Sequence, residues 1–384
     1  MHKLVIGMDA KRAVLNNTGL GNYSRYVIEA MATSFPEAEF RLYTPRLAQN
    51  ARFDAIAALP GVSVCTPATG GMTGRGALWR TWGMARQLSA DGVALYHGLS
   101  NELPLSIGRA GCASVVTVHD VIWRRVPGDY SAIDRRLYDW KYGESARRAT
   151  RVIAISERTK ADLVADFAID PAKIDVIYQG VAPVFRRQPT PDELDEARRR
   201  YSLPERYVVQ VGRIERRKNQ LLTLQAMRAV PSDVKLLLVG PRRMRAYVAE
   251  IEAYAAAHGL RDRVVWLDGV DFRLLPAVYA MARAVAYPSR YEGFGLPVAE
   301  ALSVGTPVLA ATGSCLEEAG GAGAVYVDPD DADAAAHALC RLIDNETLRA
   351  EMASAGRKHV ARFTVGEFAA ATMKCYEQAL KEYT

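Results

Sequence analysis

A chain of 384 residues is longer than one hydrophobic core usually spans, so two domains are expected. Hydrophobic residues make up 49% and charged residues 24%, which excludes a disordered or collagen-like chain. A formal net charge of +6 favours anionic partners without choosing among nucleotide, phosphate, lipid and nucleic acid, while five scattered cysteines lacking C-x-x-C spacing exclude a disulfide framework and a cysteine zinc site.

The N-terminal run 3–8 reads as a first buried strand and not as a signal peptide. Thr18-Gly-Leu-Gly-Asn22 follows and leads into a helix over 23–32. Gly19 and Gly21 let backbone approach a ligand closely, or simply close a tight turn. The segment has neither the third glycine of a dinucleotide fingerprint nor the G-K-[ST] of a Walker loop. Further strands are expected at 39–43, 93–96, 113–118 and 151–155. His97 and the pair His119-Asp120 fall at strand ends, where a doubly wound sheet presents catalytic groups, although a histidine there is often structural.

The stretch 123–151 interleaves basic residues with Trp123, Tyr130, Tyr138, Trp140 and Tyr142, and Arg75-Gly-Ala-Leu-Trp79-Arg80-Thr-Trp82 has the same flavour. Three readings stay open: a lipid headgroup surface, a nucleic-acid surface, or an amphipathic helix with its aromatic face turned to the core. No segment reaches the ~18 uninterrupted apolar residues of a membrane span, so the expected location is cytoplasmic, with or without peripheral membrane contact.

The segment 178–204 carries Pro183, Pro189, Pro191 and Pro204 and reads as the junction. The expected domains are 1–182, 183–365 and a C-terminal helix over 366–384 that packs on its own domain or crosses to the first. Strands of the second half are expected at 207–211, 234–239, 264–267, 284–287 and 308–310. Short apolar strands alternating with helices imply an α/β fold of two doubly wound parallel sheets, five strands in each, with ligand in the cleft between them.

Val211-Gly-Arg-Ile-Glu-Arg-Arg-Lys-Asn219 follows the first of these strands. Arg213 and Lys218 suit a diphosphate, or belong to a basic surface loop. Glu292-Gly-Phe-Gly-Leu-Pro-Val-Ala-Glu300 sets two carboxylates around a glycine turn that enters a helix, with Pro297 in its first turn and Gly305 at its end. The N–H groups of Phe294, Gly295 and Leu296 would face outward at that helix start, where anions are favoured. Two hydroxyl-seeking carboxylates flanking an anion site meet the needs of a nucleotide sugar; two solvated glutamates are the plainer alternative. Asp328-Pro-Asp-Asp-Ala-Asp333 holds a D-x-D triplet but reads as a helix start, so no metal site is expected.

Taken together, these motifs resemble the retaining GT-B glycosyltransferases of the large bacterial family of mannosyl and glucosyl transferases (glycosyltransferase family 4, glycosyl transferases group 1). The resemblance implies two Rossmann-like domains, the first for the acceptor and the second for the donor. It implies that Arg213 and Lys218 bind the donor diphosphate, that Glu292 holds hydroxyls of the transferred sugar, and that Glu300 binds the ribose. It implies that Phe294, Gly295 and Leu296 meet the sugar and phosphate through backbone. His119, with Asp120 beside it, would lie near the sugar and acceptor, and Gly19 and Gly21 near the phosphates. The sequence departs from the family pattern at Gln179-Gly180, usually Asn-Gly, and at Thr18-Gly19, usually a glycine pair. Similar variants among bacterial polysaccharide assembly enzymes favour a mannose-type donor, so the expected substrate is a GDP- or UDP-linked sugar with GDP-mannose favoured, and the expected acceptor is a saccharide or lipid-linked saccharide, as in lipopolysaccharide assembly. With cations and helix N–H groups for the diphosphate, no metal or other cofactor is expected, nor a nucleic-acid partner, and the basic-aromatic stretch 123–151 suggests peripheral membrane contact. A noncatalytic nucleotide-sugar binder, or a phosphorylase or epimerase of the same fold, is the alternative.

Overall fold

The computed structural model describes residues 3–67 and 76–383, so Arg75 lies outside the described residues. The chain forms two units, residues 1–179 with 364–384, and residues 180–363. The division falls just ahead of the proline-rich boundary expected at Pro183.

The first unit is built on β1 (Val5–Asp9), β2 (Glu39–Tyr43), β3 (Val62–Cys65), β4 (Leu95–Gly98), β5 (Ala113–Val118), β6 (Arg151–Ala154) and β7 (Ile174–Val176). Their order across the sheet is β3-β2-β1-β4-β5-β6-β7, and every pair is parallel. The second unit holds β8 (Tyr207–Val211), β9 (Lys235–Val239), β10 (Val264–Leu267), β11 (Ala284–Tyr287), β12 (Val308–Ala311) and β13 (Ala324–Val327). These run parallel in the order β10-β9-β8-β11-β12-β13.

Seven and six strands replace the expected five and five. The additions β3, β7 and β13 are sheet edges whose residues are mostly half-buried. Central strands such as β5 are buried throughout and read as continuous apolar runs; an edge strand lacks a second covering neighbour and so lacks that signature. In both sheets the chain reverses direction of build-up between its first and fourth strands. That reversal opens a crevice beyond the carboxyl ends, between β1 and β4 in one unit and between β8 and β11 in the other.

The charged stretch at the junction is itself a helix, Pro191–Tyr201. Its start is fixed by a capping box, in which Thr190 Oγ1 accepts from the Glu193 N–H and the Glu193 carboxylate accepts from the Thr190 N–H. The aspartates of the D-x-D triplet are likewise used locally. Asp331 caps the helix Ala332–Asp344, Asp328 accepts from the Asp330 N–H, and Asp330 pairs with Arg290 at 2.6 Å.

The C-terminal helix Val365–Tyr383 is capped by Thr364, whose Oγ1 accepts from the Glu367 N–H, and it belongs to the first unit. Phe368 is 2% exposed and lies 6.3 Å from the Tyr23 ring and 5.0 Å from the Tyr26 ring. Further along, Tyr376 reaches His97 and Glu382 pairs with the buried Arg151 at 2.7 Å. Among the described residues no helix is long and apolar enough to cross a membrane. The docking of this helix predicts that Phe368→Ala costs about 3 kcal/mol of unfolding free energy, read from the urea midpoint. A loss of only a few tenths would contradict the packing.

Candidate functional site

In the second unit, the crevice between β8 and β11 is organised by one carboxylate oxygen. The loop after β8 ends in a tight turn, Arg216–Lys218, closed by Asn219 in the left-handed region at φ 59°. This turn points Arg217 and Lys218 inward, leaving their side chains 8% and 11% exposed. The loop after β11 returns Glu292 to meet them. Glu292 Oε1 accepts from Lys218 Nζ, from Arg217 Nη1 at 2.7 Å, from Ser289 Oγ at 2.6 Å and from Tyr287 OH at 3.1 Å. Lys218 Nζ also donates to Tyr287 OH and lies 4.8 Å from that ring's centroid. Arg217 is held in turn by Glu215 and by the Tyr291 carbonyl, both at 2.7 Å.

Burial alone would raise the Glu292 carboxyl. Lys218 and then Arg217 outweigh it and hold the group below the ordinary carboxylate range. Burial pulls the Lys218 ammonium down, with Glu292 opposing it. The four contacts described above all meet the Glu292 carboxylate at Oε1, so an added donor such as a hydroxyl would be taken at Oε2.

The helix Leu296–Val304 starts beside this cluster. Gly295 caps it at φ 99°, and a Cβ there would come within 2.6 Å of Leu316 Cδ2, so only glycine fits. The helix has Pro297 in its first turn, and its leading N–H groups have no partner within the helix. Phe294 is buried against the Phe363 ring, so its contribution is backbone. Glu300, one turn inside, makes a 3.4 Å contact with Tyr279 OH, and burial lifts its pKa to about 7. Cys315 Sγ donates to the Glu292 carbonyl at 3.1 Å, and the neighbouring Ser314 Oγ is buried without a partner.

The structure therefore joins Lys218, Glu292 and the helix start, with Glu300 a turn further on. Arg213 is not drawn in: its side chain is 57% exposed and sits 3.5 Å from Glu215. Arg217, Tyr287 and Ser289 belong to the cluster and were missed by sequence reasoning. A run of three adjacent cations does not say which of them turns inward.

In the first unit, a short helix Lys11–Leu15 stands between β1 and the glycine pair. Gly19 and Gly21 fall in the first turn of the helix Gly19–Ser34, which starts earlier than expected. Gly19 is open, with nothing within 4 Å of a Cβ. At Gly21 a Cβ would overlap the Asn16 carbonyl oxygen at 1.7 Å, so this glycine is required by the chain's own packing.

His119 follows β5 and is 7% exposed. Its Nε2–H donates to the Leu99 carbonyl at 2.9 Å, which fixes the tautomer with Nδ1 as acceptor. Burial lowers its pKa to about 4, resisted by Leu99 and assisted by Arg12, so the ring is neutral at neutral pH. Tyr23 lies edge-on at 4.5 Å. Asp120 accepts from the Ile122 N–H at 3.1 Å and so helps start the following turn. His97 is deeper: Nδ1 is 2.6 Å from Tyr376 OH, Nε2 is 2.8 Å from Thr117 Oγ1, and burial pushes its pKa down to about 3.

Most of the stretch 123–151 is committed to internal contacts. Trp123 is 2% exposed within a cluster with Tyr138 and Tyr142, and its Nε1–H donates to Asp139 at 2.6 Å. Arg124, Arg125, Arg147, Arg148 and Arg151 are all ion-paired. Ile133, Leu137 and Trp140 remain outward on the helix Ala132–Arg148, at 80%, 48% and 50% exposure.

Two Rossmann-like parallel-sheet units, one with a cation-and-carboxylate cluster at its switch point, define an α/β protein of the GT-B type. Residues 18–185 match the family model for Glycosyltransferase Family 4, and residues 193–359 match Glycosyl transferases group 1. The chain belongs to this glycosyltransferase family. It is 27% identical over 290 residues to O-antigen chain mannosyltransferase B of Escherichia coli, covering 74% of each chain. It is 34% identical over 250 residues to a D-inositol 3-phosphate glycosyltransferase of Xylanimonas cellulosilytica, covering 62% of this chain but only 59% of that relative. A glycosyltransferase structure from Rickettsia africae superposes with a TM-score of 0.76 at 17% identity, over 99% of this chain and 100% of the other. The Anabaena HepE structure solved with UDP and glucose gives 0.76 at 21% identity, over 98% and 100%. At such identities the structural likeness shows the fold.

Glu300 gives this site a pH signature. Its folded pKa of about 7 lies above the ordinary carboxyl value of about 4.3, so the folded state keeps a proton that the unfolded state has lost. The stability it contributes is full below the ordinary value and is lost as pH rises through about 7. Glu300→Gln is therefore expected to gain on the unmodified protein, in thermal midpoint, as pH rises through that window. A difference that does not change with pH would contradict the burial.

Proposed function

We propose that the protein transfers a mannosyl residue from GDP-mannose to a hydroxyl of a saccharide, free or lipid-linked, with retention at the anomeric carbon. One observation carries this reading. Lys218 and Arg217 are fixed by Glu292 at the switch point of the second unit, beside a helix start. The names of an O-antigen mannosyltransferase of E. coli and an MMP alpha-(1->4)-mannosyltransferase of Mycolicibacterium hassiacum, 27% and 29% identical, support mannose.

In this reading the bond from the anomeric carbon to the diphosphate oxygen breaks and the acceptor oxygen bonds on the same face. The acceptor's proton passes to the departing diphosphate. Charge builds on that diphosphate, and Lys218 and the N–H groups of Gly295 and Leu296 stabilise it, with the exposed Arg213 turning in from the rim once the anion is bound. Glu292 stays ionised and accepts sugar hydroxyls through Oε2. Glu300 accepts from the ribose. A neutral His119 cannot lend positive charge; its Nδ1 accepts a hydrogen bond from a hydroxyl and so orients the sugar or acceptor. No step requires a metal or other cofactor. The outward Ile133, Leu137 and Trp140 support a shallow peripheral contact with the lipid end of a membrane-borne acceptor.

The test is thermal unfolding against GDP, UDP, ADP and their sugars, followed by release of nucleoside diphosphate with a saccharide acceptor. GDP and GDP-mannose are expected to raise the midpoint by mass action. Glu292→Ala is expected to lower kcat by about 10²–10³ while the nucleotide still binds. A shift with UDP compounds alone would overturn the mannose donor, and no shift with any nucleotide would overturn the reading.

A further inference from the structure

Glu292 Oε1 meets two cations, and it does not hold them alike. Arg217 is fixed on several sides. Its Nη1 reaches Glu292 Oε1 and the Tyr291 carbonyl, both at 2.7 Å, and its Nη2 donates to Glu215 at 2.7 Å. Its own carbonyl accepts from the Arg290 N–H at 2.9 Å, so backbone and side chain together clamp it to the loop after β11. Glu215 does not use up its charge, because Arg213 stands 3.5 Å from the second oxygen of that carboxylate. Lys218 is held at the tip of a flexible four-carbon stem, where Nζ donates to Glu292 Oε1 and to Tyr287 OH. An ammonium has three donors and can re-aim them, whereas a guanidinium clamped in its plane cannot.

The donor reading above requires Lys218 to serve a diphosphate. Were Lys218 the sole cation on Glu292, that step would strip a carboxylate only 12% exposed of its partner, beside an arriving anion. An uncompensated buried charge is costly, so the nucleotide would bind weakly, or Glu292 would take up a proton and accept sugar hydroxyls poorly. Two cations on one oxygen remove that conflict, since one can leave while the other stays. Their mutual repulsion works in the same direction. Burial lowers the Lys218 pKa, Glu292 opposes this and Arg217 adds to it, so a second anion is welcome at the ammonium.

We infer that Arg217 is a positioning residue of this site: it keeps Glu292 paired while Lys218 turns to the diphosphate, and it does so without touching the nucleotide. This role rests on the donor reading and explains how one lysine can serve a carboxylate and a diphosphate in turn.

Titration calorimetry of GDP and of UDP into the full chain tests this, in a double-mutant cycle over Arg217→Gln and Glu292→Gln. Arg217→Gln is expected to weaken the better nucleotide at least about tenfold, because Lys218 is then tied to Glu292. Adding Glu292→Gln frees Lys218 and is expected to recover at least about tenfold, against a gain of less than about threefold for Glu292→Gln in the unmodified chain. Neither nucleotide carries a sugar, so bonds from Glu292 to sugar hydroxyls do not enter the readout. A residue that merely supports the loop, or one that touches the nucleotide, gives additive effects or no recovery, and either result would overturn the role. Arg217→Lys keeps a cation beside Glu292 and covers the case in which Arg217→Gln does not fold. Its affinity is expected within about threefold of the unmodified chain, and a loss of about tenfold would overturn the role as well. Nucleotide binding to the unmodified chain with an additive cycle removes the role of Arg217 and leaves the donor reading standing. No binding of either nucleotide to the unmodified chain ends both.

Discussion

The second unit depends on one ion cluster, in which Glu292 Oε1 gathers Lys218, Arg217, Ser289 and Tyr287. It ties the loop after β8 to the loop after β11, across the point where the sheet's build-up reverses. A buried cluster of this kind adds little net stability, because desolvation offsets the attraction. Removing one partner is another matter: about 3–5 kcal/mol, since a buried charge is left uncompensated. Its value lies in position. The cations are aimed and largely shielded from solvent by the cluster itself, so little reorganisation remains to be done when charge develops beside them.

In the first unit the comparable ordering is done by neutral groups. Tyr376 of the C-terminal helix meets His97, His97 meets Thr117, and Thr117 Oγ1 lies 3.3 Å from the hydroxyl of Tyr23. The Tyr23 ring then packs edge-on against His119. Both histidines are kept neutral by burial, and the Leu99 carbonyl fixes which nitrogen of His119 accepts. The last helix of the chain is thereby a support for a residue that follows β5, far from it in sequence.

Much of this was legible in the sequence, for physical reasons that differ by element. Central strands such as β5 and β8 are covered on both faces and announce themselves as apolar runs. The edges β3, β7 and β13 are half-wet and do not. The helix Pro191–Tyr201 has one buried residue, Ala197, and a very polar surface, so it read as a linker. Glu292 and Lys218 were visible through glycine placement and spacing from strand ends. Arg217 was not, because its inward turn is set by a single left-handed residue, Asn219, after three consecutive cations.

The central claim is that Lys218 is a preset anchor for a nucleoside diphosphate and not merely a counter-ion for Glu292. Titration calorimetry of GDP and UDP into the unmodified protein and into Lys218→Met tests it most directly. The account predicts that the better of the two nucleotides loses at least about tenfold in affinity in a variant that remains folded, as expected for a lost charge-assisted hydrogen bond. Equal affinity for both proteins would contradict it and return Lys218 to a purely structural ion pair.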